Sequence, residues 1–355
     1  MAAIETRYVT RRSDGRLQCD VCPRECALDR GQRGLCFVRK REGEAIVLDS
    51  YGRSSGFCLD PIEKKPLHHF LPGSSVLSFG TAGCNLTCKF CQNWDISKSR
   101  DVDTLASEAS PEAIARTAQT MGARSVAFTY NDPVIFMEYA MDAADACHAL
   151  GIKTVAVTAG YIKAEARRDF FAKIDAANVD LKAFNDGFYR SLCGASLEAV
   201  KETLVYLAKE TRVWLELTTL VIPGHNDDER ELRALASWVR EALGAHVPLH
   251  FSAFHPDYKM SDVARTPPET LRRARQIARD EGLKHVYVGN VHDREGDTTF
   301  CSQCGETLIE RDWFEIVSYR AGELGQCPKC RAPIEGVFDG PVGCNGRKRL
   351  RVRCT

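Results

Sequence analysis

The chain has 355 residues, of which 44% are hydrophobic, and its 48 lysine and arginine residues are balanced by 48 aspartate and glutamate residues. This length and hydrophobic content predict a globular protein of two or three domains, and the zero net charge argues against a globally basic surface for nucleic acid. No apolar run approaches the roughly 18 residues of a membrane-spanning helix, and the N-terminus has no apolar signal-peptide core, so we expect a cytoplasmic protein without a membrane partner.

Sixteen cysteines stand out in this composition. A cytoplasmic protein keeps its thiols reduced, so clustered cysteines there indicate metal ligands rather than disulfides. Eleven of the sixteen fall into three groups: the N-terminal quartet (Cys19, Cys22, Cys26 and Cys36), the central triplet (Cys84, Cys88 and Cys91) and the C-terminal quartet (Cys301, Cys304, Cys327 and Cys330).

Residues 1–74 are predicted to form an N-terminal Cys-rich domain, which contains the N-terminal quartet and little regular periodicity. The gaps between the four cysteines are two, three and nine residues. Four thiolates at this spacing can close a zinc site or hold a second [4Fe–4S] cluster, and zinc is slightly favoured over iron–sulfur. Thiols without a metal are the remaining alternative.

Residues 75–297 alternate short strand-like runs with helical segments such as PEAIARTAQTMG, which begins at proline and ends at glycine. This alternation predicts βαβ units and a parallel sheet, and therefore an α/β fold built on a partial (β/α)6 TIM-like barrel. A doubly wound sheet is the alternative, but no G-x-G-x-x-G follows the first strand. The predicted strands are VLSFG (76–80), SVAFTY (125–130), KTVAVT (153–158), NVDLK (178–182), VWLELTTLV (213–221), LHFSAF (249–254) and a possible seventh, HVYVG (285–289).

The central triplet follows the first predicted strand of the barrel, on the face where parallel barrels place their chemistry. A [4Fe–4S] cluster takes four ligands, so three thiolates leave one iron open to a ligand that is not part of the protein. The alternatives are a zinc site completed by a distant residue and buried cysteines without a metal.

Residues 298–355 are predicted to form a C-terminal zinc-ribbon-like domain. Its quartet consists of two C-x2-C pairs with 22 residues between them, and four protein ligands predict a structural zinc ion. A redox-active or cluster-bearing site is the alternative.

Two further features have both a functional and a structural interpretation. Cys193 follows the fourth predicted strand, on the face where parallel barrels place their chemistry, and could take part in catalysis there, but a buried inert thiol is the commoner case. The basic tail 346–353 could contact nucleic acid or an acidic partner, although an exposed charged strand is the commoner explanation.

The C-x3-C-x2-C motif of the central triplet, with Phe90 before the last cysteine, resembles that of the radical S-adenosylmethionine (SAM) superfamily. The resemblance implies that Cys84, Cys88 and Cys91 are catalytic ligands of a [4Fe–4S] cluster, with SAM on the open iron. It also implies reductive cleavage of SAM to a 5′-deoxyadenosyl radical, with electrons from an external flavodoxin-like or ferredoxin-like donor.

Further motifs resemble those of the activases of glycyl-radical enzymes, and each follows a predicted strand or, for CQNWD, includes the last cysteine of the triplet. The resemblance implies that TYNDP holds the SAM amino group, that VDLK holds its carboxylate, and that VIPGHNDD and FSAFHP lie beside its adenine and ribose. The cofactor-binding residues that it implies are Asn93, Asn131, Asp132, Asp180, Lys182, Val221, Gly224 and His255.

A more extensive resemblance covers nearly the whole chain. CDVCPRECALDRGQRGLCFVR, DPIEKKPLHHFLPGS and FYRSLCGA are similar to segments of the AmmeMemoRadiSam-system radical SAM enzymes. That family implies the fold and the cofactor, but no substrate, which could be a small molecule or a protein. A glycyl-radical activase acting on a protein glycine and a non-catalytic metal-binding module are the alternatives.

Overall fold

The computed structural model describes residues 3–100, 105, 107–322, 325–340, 342–343 and 349–354. Short antiparallel strands form its N-terminal region. They make two three-stranded sheets, in the orders β1-β6-β5 and β2-β3-β4. The strands of this region are β1 (Ile4–Glu5), β2 (Val9–Arg11), β3 (Leu17–Cys19), β4 (Ala27–Leu28), β5 (Arg39–Glu42), β6 (Ala45–Leu48), β7 (Arg53–Ser54) and β8 (Phe57–Pro61).

Seven parallel strands form the central sheet, in the order β16-β15-β14-β13-β12-β11-β9, which confirms the partial barrel. Most of their residues are buried, as expected for a parallel sheet covered by helices on one side and filled by its own side chains on the other. The short strand β10 lies outside this sheet and pairs with β7. The strands are β9 (Ser75–Phe79), β10 (Ser107–Glu108), β11 (Ser125–Phe128), β12 (Lys153–Thr158), β13 (Ala176–Asp180), β14 (Trp214–Val221), β15 (Leu249–Ala253) and β16 (Val286–Gly289).

Helices α2, α6 and α7 begin at a capping side chain. Ser110 accepts a hydrogen bond from the backbone N–H of Ala113, with Pro111 in the first turn of its helix. No helix in the described part of the chain is long and apolar enough to cross a membrane. The helices are α1 (Trp94–Ser97), α2 (Pro111–Thr120), α3 (Met137–Ala149), α4 (Ala164–Phe171), α5 (Asp186–Phe188), α6 (Leu197–Glu210), α7 (Glu229–Trp238), α8 (Pro268–Asp280) and α9 (Arg294–Asp297).

Two antiparallel strands from opposite ends of the chain extend the central sheet beyond β9. Strand β8 pairs with β9, and the C-terminal strand β20 pairs with β8. The C-terminal region also contains a three-stranded sheet in the order β17-β18-β19. The strands of this region are β17 (Thr299–Phe300), β18 (Thr307–Asp312), β19 (Glu315–Tyr319) and β20 (Leu350–Val352).

The segment that follows β8 fills the N-terminal end of the barrel. Its backbone N–H groups at His68 and His69 donate to the carboxylate of Glu216, over 3.0 and 2.8 Å. Glu216 is fully buried and also lies 2.7 Å from the His250 ring nitrogen Nε2. These partners satisfy the buried Glu216 carboxylate, which can therefore lie inside the barrel at this end.

Candidate active site

The central triplet lies on the loop after β9, at the C-terminal edge of the parallel sheet. Cys88 is buried and Cys84 and Cys91 are half-buried. Gly83 begins the turn with a φ angle of 84°, which a residue with a Cβ rarely adopts. All three thiols line one cavity of about 1340 Å³, so the structure brings the predicted ligands to a common space.

Two of the three sulfurs already have polar neighbours within the loop. The backbone N–H of Leu86 approaches Cys84 Sγ at 3.5 Å, and Cys91 Sγ lies 2.9 Å from Ser97 Oγ. Burial raises the pKa of the Cys84 thiol to about 12. Hydrogen bonds to the ligand sulfurs are one of the means by which proteins adjust the potential of an iron–sulfur cluster.

The third sulfur contacts a cysteine outside the motif. Cys193 ends the π-helical turn Tyr189–Cys193, is fully buried, and forms a side-chain hydrogen bond with Cys88. This hydrogen bond lowers the pKa of Cys88 to about 6, with a smaller contribution from Lys182 and against the effect of burial. The backbone also joins the two segments, because the N–H of Thr87 donates to the carbonyl of Cys193 over 2.8 Å.

The spacing of the three sulfurs suits a cluster better than a single ion. Among the described residues, only the C-terminal quartet brings three or more candidate ligand atoms within 4.8 Å of one another. A tetrahedral zinc ion with Zn–S bonds of ~2.3 Å holds its sulfurs about 3.8 Å apart. A cubane [4Fe–4S] cluster is larger and holds its cysteine sulfurs further apart, so three thiols that line one cavity without closing around a single ion are compatible with this group.

Asn131 uses its side chain to fix the loop of the triplet. Its Nδ2 donates to the carbonyl of Gly83 over 2.7 Å, and its Oδ1 accepts from the N–H of Thr81 over 3.2 Å. Asn131 lines the cavity as predicted for a SAM contact, but these bonds make it a support of the cluster loop as well.

Asp132 is buried beside Asn131, and it too lines the cavity. Its Oδ1 accepts from the N–H of Val134 (3.1 Å) and from Thr158 Oγ1 (2.9 Å), and its Oδ2 accepts from the N–H of Ala159 (3.1 Å). Burial raises the pKa of this carboxyl, and the three donors act against burial. Asp132 is thus a fixed acceptor at the ends of strands β11 and β12.

Asp180 and Lys182 form an ion pair at the end of β13, with 2.9 Å between Oδ2 and Nζ. The Lys182 side chain is only 13% exposed, and its Nζ lies 5.8 Å from the centroid of the Phe90 ring. Burial favours the neutral amine, but the attraction of Asp180 and of the neighbouring thiols outweighs it and raises the pKa of Lys182 well above its usual value. A permanent positive charge therefore lines the cavity beside the triplet.

The remaining predicted SAM contacts divide into two groups. Asn93 is exposed and lines the cavity. Val221 is fully buried, and Gly224 lies in an exposed turn with a φ angle of 74°. His255 is half-exposed and its Nδ1 lies 2.8 Å from Gln92 Nε2. These last three residues do not line the cavity, so the structure does not bring them together with the others.

One wall of the cavity was not predicted from the sequence. Strand β20 pairs with β8, and the alternate residues Arg349, Arg351 and Arg353 line the cavity. Arg349 Nε donates to Cys58 Sγ over 3.0 Å. The available signal was the alternation R-L-R-V-R, because a period of two places the three arginines on one face of a strand, although Val352 lines the cavity as well.

The inner end of the cavity is polar and buried. His68 Nε2 lies 3.3 Å from Asp297 Oδ1, and Glu63 accepts a hydrogen bond from the N–H of Gly73 over 2.7 Å. Burial raises the pKa of Glu63 to about 7, against the attraction of the fully buried Arg311. Arg311 belongs to β18, so the C-terminal region contributes to this end of the barrel.

The C-terminal quartet forms a compact group of ligand atoms. Its four sulfurs lie within 4.8 Å of one another, and two of the separations are 3.6 Å: Cys301 to Cys330 and Cys304 to Cys327. These separations approach the ~3.8 Å expected around a tetrahedral zinc ion. The arrangement therefore fits a single metal ion.

The N-terminal quartet surrounds a separate cavity. All four cysteines line a small space of about 20 Å³, together with Arg24, Arg39 and the loop residue Asn85. No three of its sulfurs lie within 4.8 Å of one another, in contrast to the C-terminal quartet. The two quartets thus differ in geometry although both contain four thiols.

Comparison with known proteins extends these observations. Residues 79–236 match the family model of the radical SAM superfamily. An uncharacterized protein of Methanocaldococcus jannaschii is 40% identical over 336 residues, which cover 94% of this chain and 99% of that protein. The 4-hydroxyphenylacetate decarboxylase activating enzyme of Clostridioides difficile is 22% identical over 225 residues, which cover 57% of this chain and 70% of that enzyme.

Similarity to solved structures is lower. A radical SAM methyltransferase from Sphaerobacter thermophilus has a TM-score of 0.48 and 17% sequence identity, and the match covers 86% of this chain and 81% of that one.

Proposed function

This chain belongs to the radical SAM superfamily, and on that premise we propose that it is an enzyme that cleaves SAM reductively and abstracts a hydrogen atom from an unidentified substrate. The observation that carries the proposal is that the central triplet and the Asp180–Lys182 ion pair line one cavity at the carboxyl edge of a parallel sheet. When bound, a [4Fe–4S] cluster and SAM supply one-electron cleavage of a C–S bond, with methionine and a 5′-deoxyadenosyl radical as products.

The residues around the cavity have distinct roles in this proposal. Cys84, Cys88 and Cys91 bind the cluster as thiolates and leave one iron for SAM. Lys182 binds the SAM carboxylate, since a buried cation that keeps its charge is suited to a desolvated anion. Asp132 orients the SAM amino group, because its hydrogen bonds fix its position.

The other proposed contacts have less support from the geometry. Asn93 and Asn131 line the cavity and are placed for further polar contacts with SAM. The contacts of Val221, Gly224 and His255 with adenine and ribose rest on sequence similarity alone, because these residues lie outside the cavity lining.

The flanking regions complete the proposed enzyme. We assign a structural zinc ion to the C-terminal quartet, on the basis of its sulfur separations. We propose three domains, at 1–74, 75–297 and 298–355. Strand β8 of the first domain and strand β20 of the third extend the barrel sheet. The electron donor would be an external flavodoxin-like or ferredoxin-like protein.

Within the superfamily, we propose that the chain is an AmmeMemoRadiSam-system enzyme. The segments that resemble those enzymes in sequence support this proposal. A second candidate is an activase that abstracts hydrogen from a protein glycine. It is favoured by the similarity to the 4-hydroxyphenylacetate decarboxylase activating enzyme. A glycyl-radical signal in a partner protein after incubation with this chain would support the activase.

The proposed activity is tested by anaerobic incubation with SAM and dithionite, with 5′-deoxyadenosine measured as the product. We expect the wild-type chain to form it, and a Cys84→Ala, Cys88→Ala, Cys91→Ala triple variant to form none. Cys147→Ala is the matched control, because it removes a buried thiol from helix α3, outside the three groups. A triple variant that still cleaves SAM would overturn the proposal, and a wild-type chain that binds metal but never cleaves SAM would be a non-catalytic module. Deuterium transfer into 5′-deoxyadenosine from fractions of a deuterium-labelled cell extract would then locate the substrate.

A further inference from the structure

We propose that the N-terminal quartet holds a second iron–sulfur cluster, which passes electrons to the cluster of the central triplet. This inference rests on the proposed function. The cysteine pattern alone left zinc and iron–sulfur open, with zinc slightly favoured. Three structural features favour a redox-active cluster: the spacing of the sulfurs, two arginine nitrogens without partners, and close contact with the loop of the central triplet.

The spacing of the sulfurs distinguishes the two quartets. The four N-terminal thiols line one cavity whose walls include the apolar side chains of Val134 and Ile135. No three of these sulfurs lie within 4.8 Å of one another, whereas all four C-terminal sulfurs do. A zinc ion needs sulfurs about 3.8 Å apart. Sulfurs that share a cavity at wider spacing match the larger [4Fe–4S] core.

Two arginines supply hydrogen-bond donors to this cavity. Arg39 is 2% exposed and its Nε has no hydrogen-bond partner in the described part of the chain, and the same is true of the buried Nη2 of Arg24. Both residues line the cavity. Buried donors without acceptors are costly, so they indicate an acceptor that the protein itself does not provide. The bridging sulfides and thiolates of an anionic cluster are such acceptors.

The quartet packs directly against the loop of the central triplet. A Cβ atom added to Gly83 would lie 1.9 Å from the carbonyl oxygen of Cys36, which shows how closely the two backbones approach. On the other side of Cys84, Arg24 Nε donates to the carbonyl of Asn85 over 2.8 Å. The loop of the central triplet thus packs directly against the quartet, and the hydrogen bond from Arg24 to Asn85 links the two groups along a route that an electron can take.

The electron balance of this route is simple. An external one-electron donor reduces the cluster of the N-terminal quartet by one electron. That electron moves to the cluster of the central triplet, so the first cluster returns to its oxidised state and the second is reduced. No atom is transferred, and the electron is then available for the cleavage of SAM.

The first experiment asks which metal the quartet binds, independently of SAM cleavage. The triple variant of the central triplet, reconstituted anaerobically, should keep about half of the wild-type iron and acid-labile sulfide. Its electron paramagnetic resonance signal should not change when SAM is added. Absence of iron, with zinc in both quartets instead, would overturn the proposal. The double variant Cys22→Ser, Cys36→Ser tests the cluster of the central triplet alone. It should keep about half of the wild-type iron, and its electron paramagnetic resonance signal should change when SAM is added. Either variant is informative if the other does not fold.

The second experiment asks whether the cluster transfers electrons. The rate of SAM cleavage is measured with dithionite and with a reduced flavodoxin as donors. In Cys22→Ser, Cys36→Ser, the ratio of the flavodoxin-driven rate to the dithionite-driven rate should fall at least tenfold. An unchanged ratio would overturn the role in electron transfer. Absence of SAM cleavage in the wild-type chain would instead contradict the proposed function, while the iron content of the triple variant would still test the second cluster.

Discussion

The buried ion pair between Arg39 and Glu138 joins the N-terminal region to the barrel, and its removal is the most quantitative test of that packing. Arg39 Nη1 and Nη2 donate to the two carboxylate oxygens of Glu138, over 2.9 and 2.6 Å. The side chains are 2% and 10% exposed. Arg39→Met keeps an apolar stem of similar length but leaves the Glu138 carboxylate buried without its cation.

The expected loss follows from this burial. Removing one partner of a buried ion pair costs ~3–5 kcal/mol, because the remaining charge has lost its compensation. Replacing both partners by apolar side chains of similar volume is often neutral or stabilising, by ~1–4 kcal/mol. We therefore expect Arg39→Met to lower the free energy of unfolding by about 3–5 kcal/mol, and Arg39→Met, Glu138→Met to recover most of that loss.

The assay is urea unfolding followed by circular dichroism, with the metal content of each sample measured so that lost metal is not mistaken for a broken ion pair. Burial acts to raise the pKa of Glu138, but Arg39 outweighs it and the pKa is lowered. Since the folded-state pKa is below the unfolded value of 4.5, the pair stabilises the fold above that value and loses this effect as the pH falls below it. The reasoning is refuted if the double variant is no more stable than Arg39→Met.

Three further variants test the cavity and the C-terminal region. Lys182→Met should weaken SAM binding by one to two orders of magnitude while the cluster still assembles. The reason is that a hydrogen bond to a charged group contributes ~1.5–3 kcal/mol. The dissociation constant of SAM, measured by equilibrium binding, tests this prediction. Cys301→Ser should release zinc and lower the thermal unfolding midpoint more than it lowers the rate of SAM cleavage, because structural zinc contributes ~10 kcal/mol in small fingers. Glu63→Gln should reduce the difference in stability between acidic and basic pH. This difference is measured by comparing the thermal unfolding midpoints of wild type and variant at about pH 5 and about pH 8. The folded-state pKa of Glu63 is raised from 4.5 to about 7 by burial, so the wild type loses stability relative to the variant as the pH rises through this window, by up to ~3 kcal/mol.

Each of these variants has a control and an outcome that would contradict it. Lys173→Met changes an exposed lysine, and SAM affinity in Lys182→Met equal to that of this control would mean that another residue binds the carboxylate. A Cys301→Ser protein that is well folded but inactive would place the C-terminal quartet in electron transfer. For Glu63, equal pH dependence in wild type and variant would show that the carboxyl titrates normally.

The sequence predicted most of the barrel because its signals are local. The predicted run KTVAVT coincides with strand β12 (Lys153–Thr158), and VWLELTTLV with β14 (Trp214–Val221) to within one residue. In each case a β-branched or apolar run between turn residues was sufficient. The order of the parallel strands then follows from their alternation with helices.

The parts that escaped prediction depend on contacts between distant segments. Nothing local in DPIEKKPLHHF indicates that its backbone N–H groups bind Glu216, far along the chain in β14. The hydrogen bond from Cys193 to Cys88 and the pairing of β20 with β8 are of the same kind. The predicted SAM contacts differ in whether they line the cavity. Asp132 and Lys182, on the loops after β11 and β13, line it, whereas Gly224 and His255 lie on the chain after β14 and β15 and do not. Val221, the last residue of β14, is fully buried outside the cavity lining.

The pairing of β20 with β8 also affects the order in which the molecule can be made. A ribosome delivers β8 well before β20, so the arginine wall of the cavity is missing until β20 has been made. A nascent chain that acquired iron at Cys84, Cys88 and Cys91 during that time would hold it in a barrel open on one side to water and oxygen. The topology therefore favours maturation in which β20 pairs with β8 before iron is inserted.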